Sequence, residues 1–557
     1  MTKYSIYKDE KPQVTITKIK EILRRNKIEI EEEFTSNDKE KLKLCPSTRI
    51  NIVNTRIGSN GKGTCVENSL ASAYGEFMER LQNLELIPFK YPDTTLVNIK
   101  KIQKNLLCNT KIDIESKNIE TIPFYSVKNS TVVDVPLYLF ETTTGLAAGN
   151  TFEEAIVQGL SEICERYAIK EVLTNKYSLP NIPKELYENY KNIKEIINYY
   201  ETNGYEVYIK DASIGLNLPV VCVVAIKRQE NLLIFSMGSH PTLPVAVERA
   251  LTELFQGRNL SENEKNKKDK RIYITKEYYD KYIKNNPITL YEQLILCSIF
   301  FKDNEDLLNQ FILNKASFEF NYGAWIIPSP KTSNKELLKF IINNIEQITN
   351  RQIYIRNVSF LGFPTISIYI PNMSKHIYLN ASQFYLMNKW IHLKKDVNLS
   401  NKNIIELQNL LEFLCKHPIL QFSITNKFPI EYILILCSLI LNDYNKAIKY
   451  ADILIDKYPI KRENIINMIK EYSYQKQKGS LDNKINSKLM ETYTESDVAF
   501  FHKFINKLSI EVIKEILTEK DNTEEYNNII KKIRKTLQQL YKENIPDQMI
   551  FQQYFDF

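Results

Sequence analysis

The sequence predicts two structural classes in one chain: an α+β domain over residues 1–400, with mixed sheets and helices lining a cleft, and an all-α domain over residues 401–557. Three observations carry this. First, 557 residues are too many for one ordinary core, so two or more domains are expected. Second, strand-like apolar runs alternate with helical patterns up to about residue 400, beyond which long amphipathic patterns dominate. Third, glycine is scarce and concentrated. There are 14, of which eleven lie between Gly58 and Gly257 and only Gly479 lies beyond residue 400. A chain this sparing keeps glycine where the backbone needs its freedom, so the chemistry is sought in that window.

The elements follow in order. Val14 to Arg25 reads as a helix, followed by a short charged stretch and a strand near Ile50–Val53. Residues 57–83 read as a glycine loop feeding a helix, and residues 84–150 as mixed strands and loops, with Val132–Tyr138 the clearest strand. Residues 151–175 form a second long helix. Val207–Lys210 and Leu218–Ile226 read as strands with Leu232–Met237 as their partner. Residues 243–258 form a third helix, and Ile353–Ile370 again suggests strands. In the C-terminal part, Asn442 to Pro459 resembles the second helix of a tetratricopeptide repeat, with Ala447 and Ala451 at the small packing positions and Pro459 as the stop. No clean second copy follows at a fixed period, so a degenerate array and an ordinary helical bundle both stay open.

Composition narrows the class. Hydrophobic residues make up 43% and charged residues 25%, the balance of a soluble globular protein. The N-terminus is charged from the start, with no apolar segment of a secretory signal. The longest apolar run, Ile433 to Leu441, is about half of a membrane span. A cytoplasmic protein without membrane partners is expected. The eight cysteines form no C-x-x-C pair, which argues against a zinc site or a disulfide framework. A net charge of +7 permits weak contact with nucleic acid or ribosomes without demanding it.

Three helices share one polar stripe. The first carries Ser72, Glu76, Glu79 and Arg80; the second Gln158, Glu162, Glu165 and Arg166; the third Arg249, Glu253, Gln256 and Gly257. Each set has the same offsets of four, seven and eight from its first member, which places the side chains on one helix face. Around the stripes the first two helices are apolar, so the carboxylates are expected at least partly buried in a cleft. A single Glu-x-x-Glu-Arg is readily a surface ion-pair ladder; two copies on apolar helices, with a third stripe, argue otherwise. Buried carboxylates need counter-charge, and one arginine per two glutamates does not supply it. Glu76, Glu79, Glu162 and Glu165 suit a hard divalent cation. Magnesium keeps few protein carboxylates and takes phosphate oxygens as well, so the pattern predicts a magnesium–nucleotide site with the arginines and Lys62 on phosphate oxygens. The loop Gly58-Ser-Asn-Gly-Lys-Gly-Thr64 is not a Walker A loop: two residues rather than four separate its first glycines, and Gly63 follows Lys62.

These segments resemble the YcaO family. Asn60-Gly-Lys-Gly-Thr64 with Leu70 to Arg80 is similar to its first signature, SxxxExxER; Ala148 to Arg166 to its second, SExxER; and Ser239-His-Pro with Glu248 to Arg258 to its third, RxxxExxQxR. The resemblance runs from Lys8 to about residue 400, and the helical extension resembles that of the founding bacterial subgroup. It implies a protein that uses ATP and Mg2+ to phosphorylate a backbone amide oxygen of a peptide or protein, after which a nucleophile attacks the amide carbon and phosphate leaves. A neighbouring Cys, Ser or Thr gives an azoline; external sulfide gives a thioamide. The founding subgroup implies an accessory role in β-methylthiolation of a small-subunit ribosomal protein. Carried over, Glu76, Glu79, Glu162 and Glu165 match magnesium ligands. Ser72, Arg80, Arg166 and Arg249 match phosphate or nucleotide contacts, Lys8, Asn150 and Glu154 match nucleotide contacts, and Glu253, Gln256 and Arg258 complete the third signature. The chain departs from azoline-forming relatives in lacking a proline-rich C-terminal tail and an evident leader-binding fusion. His240, in Ser-His-Pro, invites a base role; a loop histidine orienting the third helix is the alternative.

Three functions stay open: a maturation factor acting on a protein, with a ribosomal protein or a sulfur-delivery protein as partner and a homodimer compatible with it; an azoline- or thioamide-forming cyclodehydratase for a ribosomally made peptide; and a non-catalytic nucleotide-sensing scaffold.

Overall fold

The structure, a computed structural model, describes residues 8–34, 46–102, 106, 118–140, 143–254, 273–276, 279–280, 300–326, 332–374, 404–405, 407–409, 411–412, 429–457, 463–509, 512–513 and 524–555. They fall into two compact units, one formed by the described residues of Met1–Thr110, Glu115–Tyr378 and Asn528–Phe557, the other by those of Leu379–Asn527. The all-α stretch is therefore not one continuous domain from 401 to 557: its last thirty residues belong to the first unit.

In the first unit, helix α1 (Pro12–Arg25) starts on a proline, whose missing N–H is no loss there, and ends on Arg24 and Arg25 beside the negative end of the helix dipole. An antiparallel sheet follows, ordered β1 (Ile30–Phe34), β2 (Ser47–Ile52), β3 (Gly58–Lys62). The described part of the charged stretch is thus a strand, exposed from Glu31 to Phe34, and the expected glycine loop is a strand too. Its glycines serve close approach rather than a turn. A Cβ on Gly61 would lie 2.0 Å from the carbonyl oxygen of Ser69 and 2.3 Å from the nitrogen of Ala73, so only glycine lets β3 lie directly on helix α2 (Val66–Gln82).

A six-stranded antiparallel sheet runs β4 (Thr95–Asn98), β5 (Asn118–Ser126), β13 (Tyr354–Asn357), β14 (Thr365–Tyr369), β7 (Leu146–Ala148), with β6 (Thr131–Pro136) also on β5. A mixed sheet runs β11 (Tyr273–Thr275), β12 (Phe300–Lys302), β10 (Leu232–Ser239), β9 (Val220–Lys227), β8 (Glu206–Asp211), with only β11 and β12 parallel. β9 is buried from Val220 to Ile226 because both faces are covered. Val220, Cys222, Val224 and Ile226 pack with helix α3 (Phe152–Thr174). Val221, Val223 and Ala225 pack with α4 (Lys191–Thr202) and α5 (Leu243–Leu254). α3 also packs on β7 and β14 and on α6 (Asn334–Thr349), so it is enclosed between two sheets. That enclosure explains why it is apolar nearly all round. α4 and α6 stand outside the elements that the sequence pattern singles out, although α6 opens with a full capping box between Ser333 and Glu336.

In the second unit, α7 (Ile430–Ile440), α8 (Tyr444–Lys457), α9 (Glu463–Gln477), α10 (Asp482–Met490) and α11 (Glu495–Lys507) pack each on the next. Ala447 and Ala451 are fully buried; Pro459 lies outside the described residues. Among the described residues no helix is long and apolar enough to cross a membrane.

The chain returns to the first unit through α12 (Glu524–Glu543) and the segment after it. Gln548 donates to the carbonyl oxygen of Asn357 and accepts from its N–H. Phe551 and Phe555 pack against Tyr125. These apolar and backbone contacts explain why the last residues leave the helical unit.

Candidate functional site

α2 and α3 both lie on β7, and α5 lies on β10, which α3 also touches. This brings the first two polar stripes together with Arg249 and Glu253, the described members of the third, and with Lys62 at the end of β3. The side chains of Glu76, Glu162, Arg166 and Lys62 are 27%, 20%, 22% and 26% exposed, neither in the core nor on open surface. Glu79 and Glu165 are likewise half-buried.

Burial pushes the carboxyl of Glu79 well above its ordinary range, and the neighbouring charges of Glu162 and Glu76 push it further, against the pull of Arg80. Glu76 is raised by burial despite Arg80, Lys62 and Arg49. Glu162 is raised by burial and by Glu165, against Arg166, a Gly145 N–H bond of 3.2 Å and Arg249. The carboxylates therefore share too little positive charge.

The cations are correspondingly under-used. Arg80 reaches Glu76 at 2.5 Å and Arg249 reaches Gln158 at 2.5 Å, yet the Nε of each is buried without a hydrogen-bond partner among the described residues. Arg166 lies 3.8 Å from Glu162. Lys62 pairs with Glu253 and is lowered to about 7 by burial and by Arg249 and Arg166, which outweigh Glu165 and Glu76.

This donor set fits a magnesium–phosphate group better than either ion alone. A bare phosphate would face the unneutralised glutamates, and a bare cation the guanidinium groups and Lys62. Together they satisfy both sets. Among the described residues no group of three or more His, Cys, Asp or Glu is set to hold a metal by itself. Magnesium does not require one when phosphate completes its shell.

At the N-terminus of α3, Glu154 behaves differently. It is 4% exposed and accepts from Lys8 Nζ at 2.9 Å, the Asp9 N–H at 3.1 Å and Asn150 Nδ2 at 3.2 Å. Burial opposes its ionisation, but the Lys8 charge and these bonds outweigh it and hold the carboxyl below the usual range. Thr15 on α1 donates to Asn150 at 2.9 Å, and Thr151 caps α3 while donating to Asp9. Lys8, Asn150 and Glu154 are thus one preassembled corner.

Ser72 is exposed, one turn before Glu76 on α2. Gln256 and Arg258 lie outside the described residues. The structure adds residues no stripe could reveal: Arg49 on β2, which faces Glu76, and Gly145, whose N–H meets Glu162 from a backbone at φ +87°. Glycine scarcity was the one signal for Gly145; Arg49 carries none.

The model of the family described as YcaO cyclodehydratase, ATP- and Mg2+-binding, matches residues 60–374. A Haemophilus influenzae protein of unassigned role is 27% identical over 398 residues, 64% of each chain. Escherichia coli YcaO, named ribosomal protein S12 methylthiotransferase accessory factor, is 28% identical over 379 residues, 61% of each. The match thus spans less than two thirds of either relative. Among solved structures, YcaO from Methanopyrus kandleri bound with AMPPCP and Mg2+ is 18% identical with a TM-score of 0.43, covering 66% of this chain and 92% of that one. A heterocyclase in complex with substrate and cofactor is 17% identical with a TM-score of 0.44, covering 66% and 53%. With more than half of its length matched by the family model, and with all three signatures in order, the chain belongs to the YcaO family of ATP- and Mg2+-binding proteins.

Proposed function

We propose that this chain uses ATP and Mg2+ to activate a backbone amide of a protein substrate, as a maturation factor such as the accessory for β-methylthiolation of a small-subunit ribosomal protein. The observation that carries the reading is the half-buried cluster in which burial raises Glu76, Glu79 and Glu162 in spite of the cations beside them, while Arg80 and Arg249 hold buried Nε groups without hydrogen-bond partners among the described residues. ATP would supply the phosphoryl group for the amide oxygen. Glu76, Glu79, Glu162 and Glu165 would hold magnesium, while Arg80, Arg166, Arg249 and Lys62 would neutralise and orient phosphate oxygens. Lys8, Asn150 and Glu154 would form the wall of the nucleotide pocket. Ser72, Glu253, Gln256 and Arg258 complete the set by their place in the signatures. The helical unit, read as a degenerate tetratricopeptide-like array, would recruit the protein partner, and the cytoplasm supplies both cofactors.

Two measurements test this. The parent protein should bind Mg-ATP, and Glu79→Ala and Glu165→Ala should lose most of that binding; variants that bind as well as the parent would remove the metal-site assignment. Mass spectrometry of ribosomal proteins from cells with and without the protein then seeks the altered substrate. The family description as cyclodehydratase favours a second reading, azoline or thioamide formation on a ribosomally made peptide. Loss of water from a co-expressed peptide would select it.

A further inference from the structure

From Lys531 to Lys542, helix α12 holds five cations, Lys531, Lys532, Arg534, Lys535 and Lys542, and no acid, in a chain whose net charge is +7. Its acids stand outside this stretch: Glu524 and Glu525 open the helix and Glu543 ends it, accepting from Gln539 at 2.9 Å. All five cations are exposed, and among the described residues none has an ion-pair partner.

Packing fixes which way this charge faces. Ile530, Ile533, Leu537 and Tyr541 are buried at the spacing of one helix face. The Tyr541 hydroxyl accepts from Arg356 at 2.6 Å, and its ring meets those of Phe89, Tyr91 and Phe360. With that face held, Lys531, Lys535, Gln538 and Lys542 form one row on the outer side, flanked by Lys532 and Arg534. The row is about 16 Å long, the rise of about five stacked nucleotides.

The chemistry of the face selects its ligand. Every exposed side chain from Lys531 to Glu543 is polar, and the helix's apolar residues are already committed to the core. A lipid surface would therefore gain the charges alone, without the apolar burial that holds an amphipathic helix in a membrane. A protein surface interleaves acids with cations and neutral groups. A phosphodiester strand offers an anion at every step and suits a straight row of amines with an amide among them.

We propose that the outer face of α12 binds the phosphate backbone of RNA without reading its sequence, through Lys531, Lys535 and Lys542 with Lys532 and Arg534 beside them. The choice of RNA rests on the reading above, in which the substrate is a ribosomal protein.

Fluorescence anisotropy of the full chain with a labelled 20-nucleotide oligouridylate, from 50 to 200 mM KCl, tests this. Binding should weaken steeply with salt. The triple variant Lys531→Gln, Lys535→Gln, Lys542→Gln removes three contacts, each releasing about 0.7 of a counterion from a single strand. It should flatten the log–log salt slope by about 2 and weaken binding about thirtyfold at 200 mM. Arginine at the same three positions should restore both. Glutamine at Lys184, Lys191 and Lys194, exposed lysines elsewhere in the first unit, should change neither by a comparable amount. Equal losses in the two glutamine triples, or polyglutamate or phosphatidylserine vesicles bound more tightly than the RNA at equal charge, would overturn the proposal. Mg-ATP binding is measured on the same samples. A parent that binds Mg-ATP and no RNA overturns this proposal alone; one that binds RNA and no Mg-ATP overturns the site reading and supports the RNA face.

Discussion

Replacing Arg356 with methionine should cost the first unit about 3–5 kcal/mol, the range for a buried ion pair deprived of one partner. Arg356, on β13, is 1% exposed. Its Nη2 lies 2.9 Å from both carboxylate oxygens of Asp93 and 2.6 Å from the hydroxyl of Tyr541 on α12; Nη1 donates to the carbonyl of Pro123 at 3.0 Å. The guanidinium carbon stands 5.2 Å from the ring centre of Tyr91. Methionine keeps much of the volume and removes every donor. Asp93, only 10% exposed, would then hold a charge without its partner, and a buried carbonyl and hydroxyl would lose theirs. Those losses share one group and do not add, which keeps the estimate near that of a broken buried pair. Urea unfolding followed by Trp325, in a background with Trp390→Phe, measures it, since Trp325 is buried in the same unit. The pair Asp93→Asn with Arg356→Met should recover most of the loss, because no charge is left stranded. A loss below about 1 kcal/mol, the value of an exposed ion pair, or a double variant no better than the single, would refute the reasoning.

Two further outcomes follow from the cleft. Glu76, Glu79 and Glu162 are raised in the fold, so above their ordinary value of 4.5 the native state binds more protons than the unfolded chain, and ligand-free stability falls as pH climbs from there. Glu79→Gln should therefore raise the melting temperature of the ligand-free protein at pH 7.5 and shrink the increment produced by Mg-nucleotide; a lowered melting temperature with an intact increment would count against the cluster. Lys62 is shifted the other way, to about 7 from 10.5, so between those values the fold binds fewer protons than the unfolded chain and its contribution to stability rises with pH. At pH 7.5 a large share of its amine is neutral, and an acylating reagent should label Lys62 faster than exposed lysines such as Lys191, with nucleotide protecting it; peptide mapping would show equal rates if the shift were absent.

The candidate cluster was legible in the sequence because its residues repeat a helical spacing against apolar surroundings. The offsets of Glu76, Glu79 and Arg80 recur at Glu162, Glu165 and Arg166, and the apolar neighbours of the second set exist because α3 is enclosed by two sheets. What was not legible depends on contacts between distant segments. Gly58 and Gly61 read as part of a glycine loop in one dimension; only the carbonyls of Ile50 and Ser69 show that they admit a strand against its neighbours. The helical composition after residue 400 carries no sign that α12 and Gln548 to Phe555 return to the first unit, because Tyr541 and Gln548 are ordinary helical-tail residues until Arg356 and Asn357 are placed beside them.

The start and the middle of α3 differ in chemistry although both are acidic. Glu154 lies at the helix N-terminus, where Lys8, the Asp9 N–H and Asn150 already satisfy it, so its carboxylate is stable in the ligand-free protein. Glu162, two turns on, receives one backbone N–H and a guanidinium 3.8 Å away. A carboxylate that is fully bonded adds rigidity and gains little from a cation; one that is under-bonded and pressed by its neighbours gains most from it. The free energy withheld from the ligand-free fold at Glu79 and Glu162 is then available as differential affinity for a divalent cation with phosphate. This is why the half-satisfied middle of α3, rather than its well-bonded start, is where magnesium is assigned.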